Sequence, residues 1–320
     1  MTATMRALRQ TSLDGPGDLR LVTDAPVPQP GPGEVLVRVG AAGVNFADVM
    51  QTRGAYHDGP RPPYTAGFEA AGTVVALGAG VTGVRTGDRV AGTGTGAFAE
   101  YALLTAFAPV PAGWTDAESL GLVLNWATAL AALRPLGRLT AGETVLVTAA
   151  AGGVGQAAVR LARHFGATVI AAAAPAKHAT VRALGADDVI DSHDPRSAAT
   201  VLRERVDLVL ESAGGAAFRA ALAAVRPLTG RVVVYGMAGG EASVTNRELN
   251  FVHPVHVIGL HIGILSRTAL FPPLLAELDA LRAAGVLTPG RPAVHDLAEG
   301  PRLLAALEAR RTSGKLALRP

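Results

Sequence analysis

The feature that most constrains this chain is a cluster of glycines set between a short apolar run and a helical pattern. The apolar run TVLVTA ends at Ala149, and Gly152, Gly153 and Gly155 lead into the helical pattern QAAVRLARHFG. Five more apolar runs follow, most of them separated by helical patterns: TVIAAA, DVIDS, DLVLES, RVVVYG and HVIGLHI. Alternating strands and helices predict a parallel sheet with helices on both faces, and six strands match a complete doubly wound fold.

The glycine cluster itself predicts a binding site for a dinucleotide. Glycine permits a tight turn and a close approach of the backbone to a pyrophosphate, whose charge then meets the amides at the start of a helix. The predicted contact residues are Ala151, Gly152, Gly153, Val154 and Gly155. Structural turns use the same residue types, so a turn without a ligand is the alternative interpretation.

The residues after the second predicted strand favour NADPH over NADH. In folds of this kind an acidic residue about 20 positions after the glycines binds the ribose 2′-hydroxyl of NADH. This chain has a run of alanines there, around Ala173, and Lys177 follows the run. Since a lysine attracts a 2′-phosphate that an acid would repel, we predict NADPH. The alternative is that Lys177 is only a solvated helix residue.

The remainder of the chain indicates a β-rich part and a long helix. The runs GEVLVRVGAAGVN, AAGTVVALGAGV and TGDRVAGTGTGAFAEYALL are bounded by Gly and Pro, as in a small barrel or sandwich. A helix is predicted from Thr115 to Leu136, because Thr115 is a good N-cap and Glu118 has capping-box spacing. We place domain boundaries at 1–123, 124–263 and 264–320, with the last segment returning to the first domain.

Composition limits the classes of function. Hydrophobic residues make up 49% of the 320 residues, which is enough for large buried cores. The net charge of +3 comes without a basic tract, so we predict no nucleic-acid partner. Cysteine is absent, which excludes disulfides and cysteine-ligated metals. The stretch FVHPVHVIGLHIGIL is shorter than a membrane span and predicts a buried strand, so we expect no membrane partner and a cytoplasmic protein.

Two further motifs make the chain similar to a known family. Together with the glycine motif, GVNFADVMQTRGAY and FEAAGTVVALGAGVTGVRTGDRV resemble the zinc-independent medium-chain dehydrogenase/reductase superfamily, and the similarity extends over essentially the whole chain. The branch it resembles is that of the NADPH:quinone oxidoreductases related to zeta-crystallin. The resemblance implies an α/β protein: a GroES-like β-rich catalytic domain plus a doubly wound Rossmann domain with a six-stranded parallel sheet. It also implies an active site in the cleft and a homodimer formed by edge-to-edge pairing of Rossmann sheets.

The resemblance also implies that no metal is bound. Zinc-dependent relatives have a cysteine where this chain has Asn45 and a histidine where it has Phe68. Glu69 remains, but one carboxylate does not make a zinc site. Without a Lewis acid, alcohol oxidation is disfavoured, whereas a quinone or an activated C=C can accept hydride directly.

By the same resemblance, Asn45, Asp48 and Tyr56 line the site of the nicotinamide and the substrate. Asn45 would hydrogen-bond the cofactor or the substrate. Tyr56 would stack on a quinone or donate a hydrogen bond to a carbonyl, and Asp48 would orient its neighbours. The alternatives are that Asn45 and Asp48 only cap turns and that Tyr56 only packs.

The other positions implied by the resemblance concern the cofactor. Lys177 matches a lysine that contacts the 2′-phosphate. Ser192 replaces a tyrosine common in quinone reductases, and His193 is a neighbouring basic residue. A hydroxyl can still bond the phosphate. The residues expected to face the cofactor from elsewhere are Thr128, Ser212, Gly214, Gly236, Met237 and His261. His261 would act through its main chain, the alternative being a polar residue of a buried strand.

Three functions follow from these observations. The leading one is an NADPH-dependent, zinc-independent reductase that transfers hydride to a quinone. The second is an NADPH-dependent reductase of α,β-unsaturated ketones or aldehydes, or of enoyl thioesters, for which Tyr56 is the obvious proton donor. The third is a non-catalytic NADPH-binding structural protein or an RNA-binding protein.

Overall fold

A computed structural model describes residues 3–194 and 199–320 of the chain. The chain divides into two compact units. The first unit is Met1–Leu124 with Pro289–Pro320, and the second is Asn125–Thr288. The first boundary lies one residue from the position predicted, whereas the second lies 25 residues beyond it, at 288 rather than at 263.

The strands and helices are numbered in chain order along the described residues. Strands β1 to β15 are Thr4–Gln10, Leu19–Pro26, Val35–Val44, Tyr64–Thr65, Glu69–Leu77, Arg89–Thr95, Tyr101–Pro109, Thr144–Val147, Thr168–Ala173, Asp188–Asp191, Leu208–Glu211, Arg231–Val234, His256–Gly259, Ala293–Asp296 and Leu316–Arg319. Helices α1 to α10 are Phe46–Thr52, Asp116–Ser119, Ala127–Ala131, Gly153–His164, His178–Ala183, Gly215–Ala224, Asn246–Phe251, Ile262–Leu265, Phe271–Ala283 and Gly300–Glu308. Short 3-10 turns cover Pro16–Asp18, Pro175–Lys177 and Leu297–Glu299, and π-helical turns cover Leu122–Trp126 and Ala132–Leu136.

The first unit is built on antiparallel strands from both ends of the chain. Its larger sheet has the order β14-β15-β3-β5-β6-β7, and β7 also pairs with β3, so strands β3, β5, β6 and β7 close on themselves. A smaller sheet has the order β2-β1-β4. In the middle of β3, Val37 and Val39 are buried while Arg38 and Gly40 are exposed, which is the alternation of a strand with one face on a core. The prediction of a β-rich domain is therefore confirmed, and of the barrel and the sandwich that the sequence left open, the closed sheet corresponds to the barrel.

The second unit is a doubly wound parallel sheet. Its strand order is β10-β9-β8-β11-β12-β13, and every neighbouring pair is parallel. Counted from β8, this is the order 3-2-1-4-5-6 of dinucleotide-binding folds. Buried aliphatic side chains such as Val145, Val147 and Val209 fill the sheet, because helices cover both of its faces. The six predicted strands are all present.

Helix α9 explains why the second boundary differs from the prediction. The strand–helix alternation of the sequence ends near Ile264, which predicts a return to the first domain at that point. Helix α9 nevertheless buries Phe271, Leu274, Leu278 and Leu281, and it packs against α3 of the second unit. The chain therefore leaves the second unit only after the apolar face of α9 is covered. Burial of this face stabilises the second unit, although the strand–helix alternation has already ended.

The strand β13 is exposed, where the sequence predicted a buried strand. It lies at the edge of the parallel sheet, and Val257 is 38% exposed. The strand also ends earlier than predicted, at Gly259, and His261 begins the short helix α8 instead of continuing the strand. Apolar composition indicated burial correctly for the inner strands, but it cannot show which strand lies at an edge.

The predicted helix from Thr115 to Leu136 is a chain of short helical pieces. The capping box is present: Thr115 Oγ1 accepts from the Glu118 N–H at 3.2 Å, and Glu118 Oε2 accepts from the Thr115 N–H at 2.7 Å. Two π-helical turns interrupt the α-helical bonds downstream. The stretch Asp116–Leu136 is long and apolar enough to cross a membrane, but 78% of its most apolar 18-residue window is buried in the protein, as expected for a core helix.

Candidate active site

Three polar residues of the first unit are brought together by strand register. Strand β15 runs antiparallel to β3 with Leu316 opposite Val44, so Lys315 lies opposite Asn45. Strand β3 runs antiparallel to β5 with Ala42 opposite Ala70. Glu69, at the start of β5, therefore lies next to the same end of β3, on the side away from β15. The order β15-β3-β5 therefore sets Lys315, Asn45 and Glu69 side by side, although they are remote in sequence.

These three side chains form a hydrogen-bonded cluster. The Lys315 ammonium donates to Asn45 Oδ1 at 2.7 Å and to Glu69 Oε2. Asn45 Nδ2 donates to the same Glu69 Oε2 at 2.7 Å. Glu69 Oε1 accepts from the Gly121 N–H at 2.5 Å. The Lys315 and Glu69 side chains are only 12% and 3% exposed, so this is a buried ion pair.

Gly43 gives the Glu69 carboxylate its space. A Cβ at Gly43 would lie 2.2 Å from Glu69 Oε2 and 2.6 Å from its carboxyl carbon. No side chain can therefore replace the hydrogen of Gly43 without moving the carboxylate. The glycine was not singled out from the sequence, because its role depends on a residue of the neighbouring strand.

Asp48 is a buried acid that caps helix α1. Its Oδ2 accepts from the Asn45 N–H at 2.7 Å, which fixes the start of the helix. The side chain is 2% exposed, and no described group hydrogen-bonds to its Oδ1. Burial raises the pKa of Asp48 to about 8, against the lowering effects of the Asn45 N–H bond and the Lys315 charge. Asp48 is therefore largely a neutral carboxylic acid at neutral pH.

Two tyrosines lie within the electrostatic reach of Asp48. Burial raises the pKa of Tyr64 to about 12 and also raises the pKa of Tyr56, and the Asp48 charge adds to both shifts. The Tyr64 hydroxyl is buried without a hydrogen-bond partner among the described residues. Tyr56, which was predicted from the sequence, therefore interacts electrostatically with Asp48, and so does Tyr64, which was not predicted. A second tyrosine eight residues after Tyr56 was the available signal.

The donor set around Glu69 does not fit a zinc ion. Asn45 and Phe68 supply neither a thiolate nor an imidazole, and the Lys315 ammonium already occupies Glu69 Oε2 and Asn45 Oδ1. A metal ion bound to the same oxygens would face this positive charge. Among residues 3–194 and 199–320, no group of three His, Asp or Glu side chains is arranged to hold a metal ion.

In the second unit, the glycine turn has the geometry that the sequence predicted. The Gly152 N–H donates to Ala149 O at 2.9 Å, and Ala149 has a positive φ of 46°. Helix α4 then begins at Gly153. A Cβ at Gly155 would lie 2.5 Å from Ala149 O and 2.6 Å from Ala150 Cα, so helix and turn approach too closely for any side chain. The first turn of α4, with Val154, leaves its amides for an anion.

Asn125 also lies against this glycine turn and was not predicted. Its Oδ1 would be 3.0 Å from a Cβ at Gly153, so the absence of that side chain makes room for the Asn125 amide. Asn125 is buried and belongs to the π-helical turn Leu122–Trp126, and Thr128, which was predicted, is buried in the next helical piece. A single asparagine within an apolar helical run was the available signal.

The loops that follow β8 and β11 are hydrogen-bonded to each other at the carboxyl ends of these strands. Thr148 Oγ1 accepts from the Ser212 N–H at 2.9 Å. The buried carboxylate of Glu211 accepts from the N–H groups of Ala213 and Gly214 at 2.8 and 2.9 Å. Burial raises the pKa of Glu211, and its Oε2 has no hydrogen-bond partner in the described chain. Glu211 thus shapes the loop that contains the predicted residues Ser212 and Gly214.

The loop after β12 joins this group. The Ala238 N–H donates to Ser212 O at 3.2 Å, so the predicted residues Gly236 and Met237 lie beside the predicted Ser212. Gly214 has a φ of +71°, and a Cβ there would lie 2.2 Å from Gly240 O. The predicted strand-end residues of the second unit are therefore adjacent. His261 is the exposed N-cap of α8, and its Nδ1 accepts from the Ile264 N–H at 3.2 Å.

The segment predicted to bind a 2′-phosphate lies at the end of β9. Lys177 ends the 3-10 turn after β9 and is half-buried. The Ser192 N–H donates to Ala173 O at 3.0 Å, which holds Ser192 at the same strand end. His193 is exposed, and its Nδ1 lies 3.7 Å from Asp191 Oδ1. Asp191 therefore places a carboxylate beside His193 at this strand end.

Comparisons with known proteins agree with this architecture. Residues 31–112 match the alcohol dehydrogenase GroES-like domain, and residues 153–279 match the zinc-binding dehydrogenase domain. Mycobacterial Rv1454c, solved in complex with NADPH, is 34% identical with a TM-score of 0.91 over 99% of this chain and 100% of that one. The Escherichia coli quinone oxidoreductase complexed with NADPH is 27% identical, with a TM-score of 0.87 over 99% and 100% of the two chains.

Other similar proteins are named as reductases of other kinds or as a polyketide synthase. The CurK enoyl reductase is 27% identical, with a TM-score of 0.86 over 98% of this chain and 99% of that one. Prostaglandin reductase-3 of Bos taurus is 40% identical over 252 residues, which are 77% of this chain and 65% of that protein. Polyketide synthase GfsB of Streptomyces halstedii is 38% identical over 299 residues, which are 89% of this chain but only 5% of the synthase.

The fold, the glycine turn and these similarities define an oxidoreductase of two-unit construction. The chain belongs to the zinc-independent medium-chain dehydrogenase/reductase superfamily. The resemblance drawn from the sequence motifs and the GroES-like plus Rossmann architecture are both confirmed.

Proposed function

We propose that the protein is an NADPH-dependent reductase that transfers hydride to a quinone without a metal. The observation that carries this proposal is the Lys315–Asn45–Glu69 cluster, in which the Lys315 ammonium bonds the amide and carboxylate oxygens that a metal ion would need. Since this donor set supplies no Lewis acid, the acceptor must be electrophilic on its own account, as a quinone is. The balanced reaction takes quinone, NADPH and one proton to hydroquinone and NADP⁺.

The residues that would hold NADPH fit it. When bound, NADPH supplies the hydride. The first turn of helix α4 and the Gly152–Gly153 turn before it would receive the pyrophosphate, since neither glycine carries a side chain that would keep the phosphates from the backbone. Lys177 and Ser192 at the end of β9 would receive the 2′-phosphate. The NADPH complexes of Rv1454c and of the E. coli quinone oxidoreductase support this assignment.

The residues of the first unit would orient the acceptor and control its protons. Asn45 has a fixed amide orientation, which suits a group that positions a ligand. Tyr56 would stack on the quinone ring or donate to its carbonyl oxygen. Asp48, as a buried neutral acid, keeps a proton close to Tyr56 and adds no negative charge to an acceptor that becomes electron-rich.

The second candidate function is reduction of an activated C=C bond. Such a reaction needs a proton for the carbon that becomes anionic, and a neutral Asp48 beside two tyrosines is a suitable source. The similarity to the CurK enoyl reductase and to prostaglandin reductase-3 also favours this chemistry. The candidate substrates are α,β-unsaturated ketones, aldehydes and enoyl thioesters.

The deciding experiment follows NADPH absorbance with 1,4-benzoquinone and with 1-penten-3-one in parallel, each against a reaction without protein. Fast oxidation with the quinone alone supports the leading proposal. Fast oxidation with the enone alone supports the second, and Tyr56→Phe then tests the proton source. Binding of NADPH without turnover of either acceptor contradicts both and favours the non-catalytic alternative.

We also propose that two copies pair through the edge strand β13. The edge presents unpaired backbone groups, and Phe251, Val252 and Val257 near it are 74%, 59% and 38% exposed. Val257→Lys should convert a dimer into a monomer in light-scattering chromatography. Leu21→Lys, at an exposed residue of the first unit, is the matched control. A dimer that persists in Val257→Lys would contradict this interface.

A further inference from the structure

Asn125 is a buried polar side chain that the proposed function does not yet use. It is 7% exposed and lies within the apolar run LGLVLNWATAL. An aliphatic residue could be buried there without the cost of removing an amide from water. Asn125 also belongs to the π-helical turn Leu122–Trp126. Turns of this kind are rare, and they occur frequently at functional sites. The position is therefore a candidate for ligand binding.

The Asn125 amide lies flat against the first residue of helix α4. A Cβ at Gly153 would be 3.0 Å from Asn125 Oδ1, 3.1 Å from its Cγ and 3.1 Å from its Nδ2. Three atoms of a planar amide are all about equally far from such a point only when the point lies over the face of the amide. The face therefore covers Gly153, and the two edges of the amide extend to either side of this residue.

The glycine turn itself supplies no charged side chain to a ligand. Residues 149–156 read AAAGGVGQ. Gln156, the last of them, donates its Nε2 to Ala151 O at 2.9 Å. A pyrophosphate at this turn would thus meet the backbone N–H groups at the start of α4. Asn125 adds a side chain with a donor group against the same residues.

We infer that Asn125 is a cofactor-binding residue: its side-chain amide donates from Nδ2 to the pyrophosphate of NADPH beside Gly153. The donor must be Nδ2, because phosphate oxygens only accept. Asn125 also interacts within the protein, but an amide has two N–H donors and an oxygen with two lone pairs, so it can bond a ligand in addition. The inference rests on the place that the proposed function gives the pyrophosphate, and it does not depend on which acceptor is reduced.

The test measures the affinity for both dinucleotides by calorimetry. Asn125→Leu removes the donor and adds no charge, so the Kd for NADPH should rise by about tenfold or more, as for loss of a hydrogen bond to a charged group. Since the pyrophosphate is common to both dinucleotides, the Kd for NADH should rise by the same factor. A folded Asn125→Leu protein that binds NADPH as tightly as the wild type would overturn the inference.

Asn125→Asp keeps the shape of the side chain and replaces its NH₂ group by an oxygen. A carboxylate repels the pyrophosphate, so this variant should bind both dinucleotides more weakly than Asn125→Leu does. The matched control is Asn250→Asp, at an exposed asparagine of helix α7, which should bind both as the wild type does. Tighter binding by Asn125→Asp than by Asn125→Leu would contradict a contact with the pyrophosphate.

A fragment of the cofactor locates the contact. 2′-Phospho-ADP-ribose contains the pyrophosphate of NADPH and lacks the nicotinamide, so the Asn125→Leu variant should lose affinity for it by the same factor. A loss seen with NADPH and not with this fragment would mean that the amide meets the nicotinamide, and it would overturn the assignment to the pyrophosphate.

A spectroscopic measurement on the wild-type protein does not require that a variant folds. The chain has four asparagines, at positions 45, 125, 246 and 250, so ¹⁵N labelling of their side chains gives four NH₂ pairs. The pair of Asn125 should shift on addition of NADPH and of 2′-phospho-ADP-ribose. If neither ligand binds the wild type, the proposed function and the inference fail together. Binding of both ligands without a shift of the Asn125 pair overturns the inference alone.

Discussion

The Glu69 carboxylate occupies the space that a side chain at Gly43 would need, since a Cβ at Gly43 would stand 2.2 Å from Glu69 Oε2. Gly43→Ala should therefore displace the carboxylate from Lys315 and Asn45. We expect a loss of about 1–3 kcal/mol in the free energy of unfolding, as for other overpacked sites, together with a lower kcat/KM. Urea unfolding and steady-state kinetics measure the two effects.

The control for this substitution is Gly17→Ala. A Cβ at Gly17 meets no atom within 4 Å, so this variant should match the wild type in both measurements. A Gly43→Ala protein with wild-type stability would show that the strand ends have room which the structure does not contain.

The buried Asp48 makes stability depend on pH in a defined direction. The folded-state pKa of Asp48 is raised to about 8 from 3.8, chiefly by burial. Between these values the folded state binds a proton that the unfolded state has released, so this group makes unfolding easier as the pH rises. The contribution is complete below the unfolded pKa and is lost as the pH rises toward 8. A full proton difference corresponds to about 1.4 kcal/mol per pH unit.

Asp48→Asn tests that dependence, because an amide oxygen still accepts from the Asn45 N–H. The free energy of unfolding of Asp48→Asn relative to the wild type should increase from pH 5 to pH 7. Urea unfolding of both proteins at pH 5, 6 and 7 measures this difference. Parallel curves across that range would mean that Asp48 is ionised in the folded protein.

The close approach at Gly155 should make the cofactor turn intolerant of a methyl group. Gly155→Ala places a Cβ 2.5 Å from Ala149 O, which is backbone and cannot rotate away. The turn must then open, and we expect NADPH affinity to fall by about tenfold or more, the equivalent of at least one hydrogen bond to a charged group. Nicotinamide fluorescence titration measures the affinity. The thermal shift caused by saturating NADPH should shrink in parallel, and an unchanged shift would contradict the assignment of this turn.

Lys177 should discriminate between the two nicotinamide dinucleotides. Lys177→Ala removes a positive charge from the end of β9, so we expect the Kd for NADPH to rise by about tenfold or more while the Kd for NADH is unchanged. Arg182→Ala, an exposed basic residue of the following helix α5, should change neither constant. Equal losses for both dinucleotides would mean that Lys177 does not face the 2′-phosphate.

Much of the second unit was predictable from the sequence because its signals are local. The apolar strand before Ala149, the glycines and the first turn of α4 are adjacent in the chain, and the backbone of a tight turn depends on the residues within it. The six parallel strands follow from apolar runs of suitable length. The exposed edge strand β13 and the packing of α9 were not predictable in this way, since both depend on which surfaces the fold covers.

The sequence by itself determined the β-rich unit, the doubly wound sheet and the glycine turn, because periodicity and turn chemistry act over a few residues, and its motifs indicated the family by resemblance. It also indicated Asn45, Asp48 and Tyr56, through motifs. Only the tertiary structure decided that Lys315, from the far end of the chain, stands between Asn45 and Glu69. The physical reason is strand register: three antiparallel strands from remote segments must align before the ammonium, the amide and the carboxylate share one buried cluster.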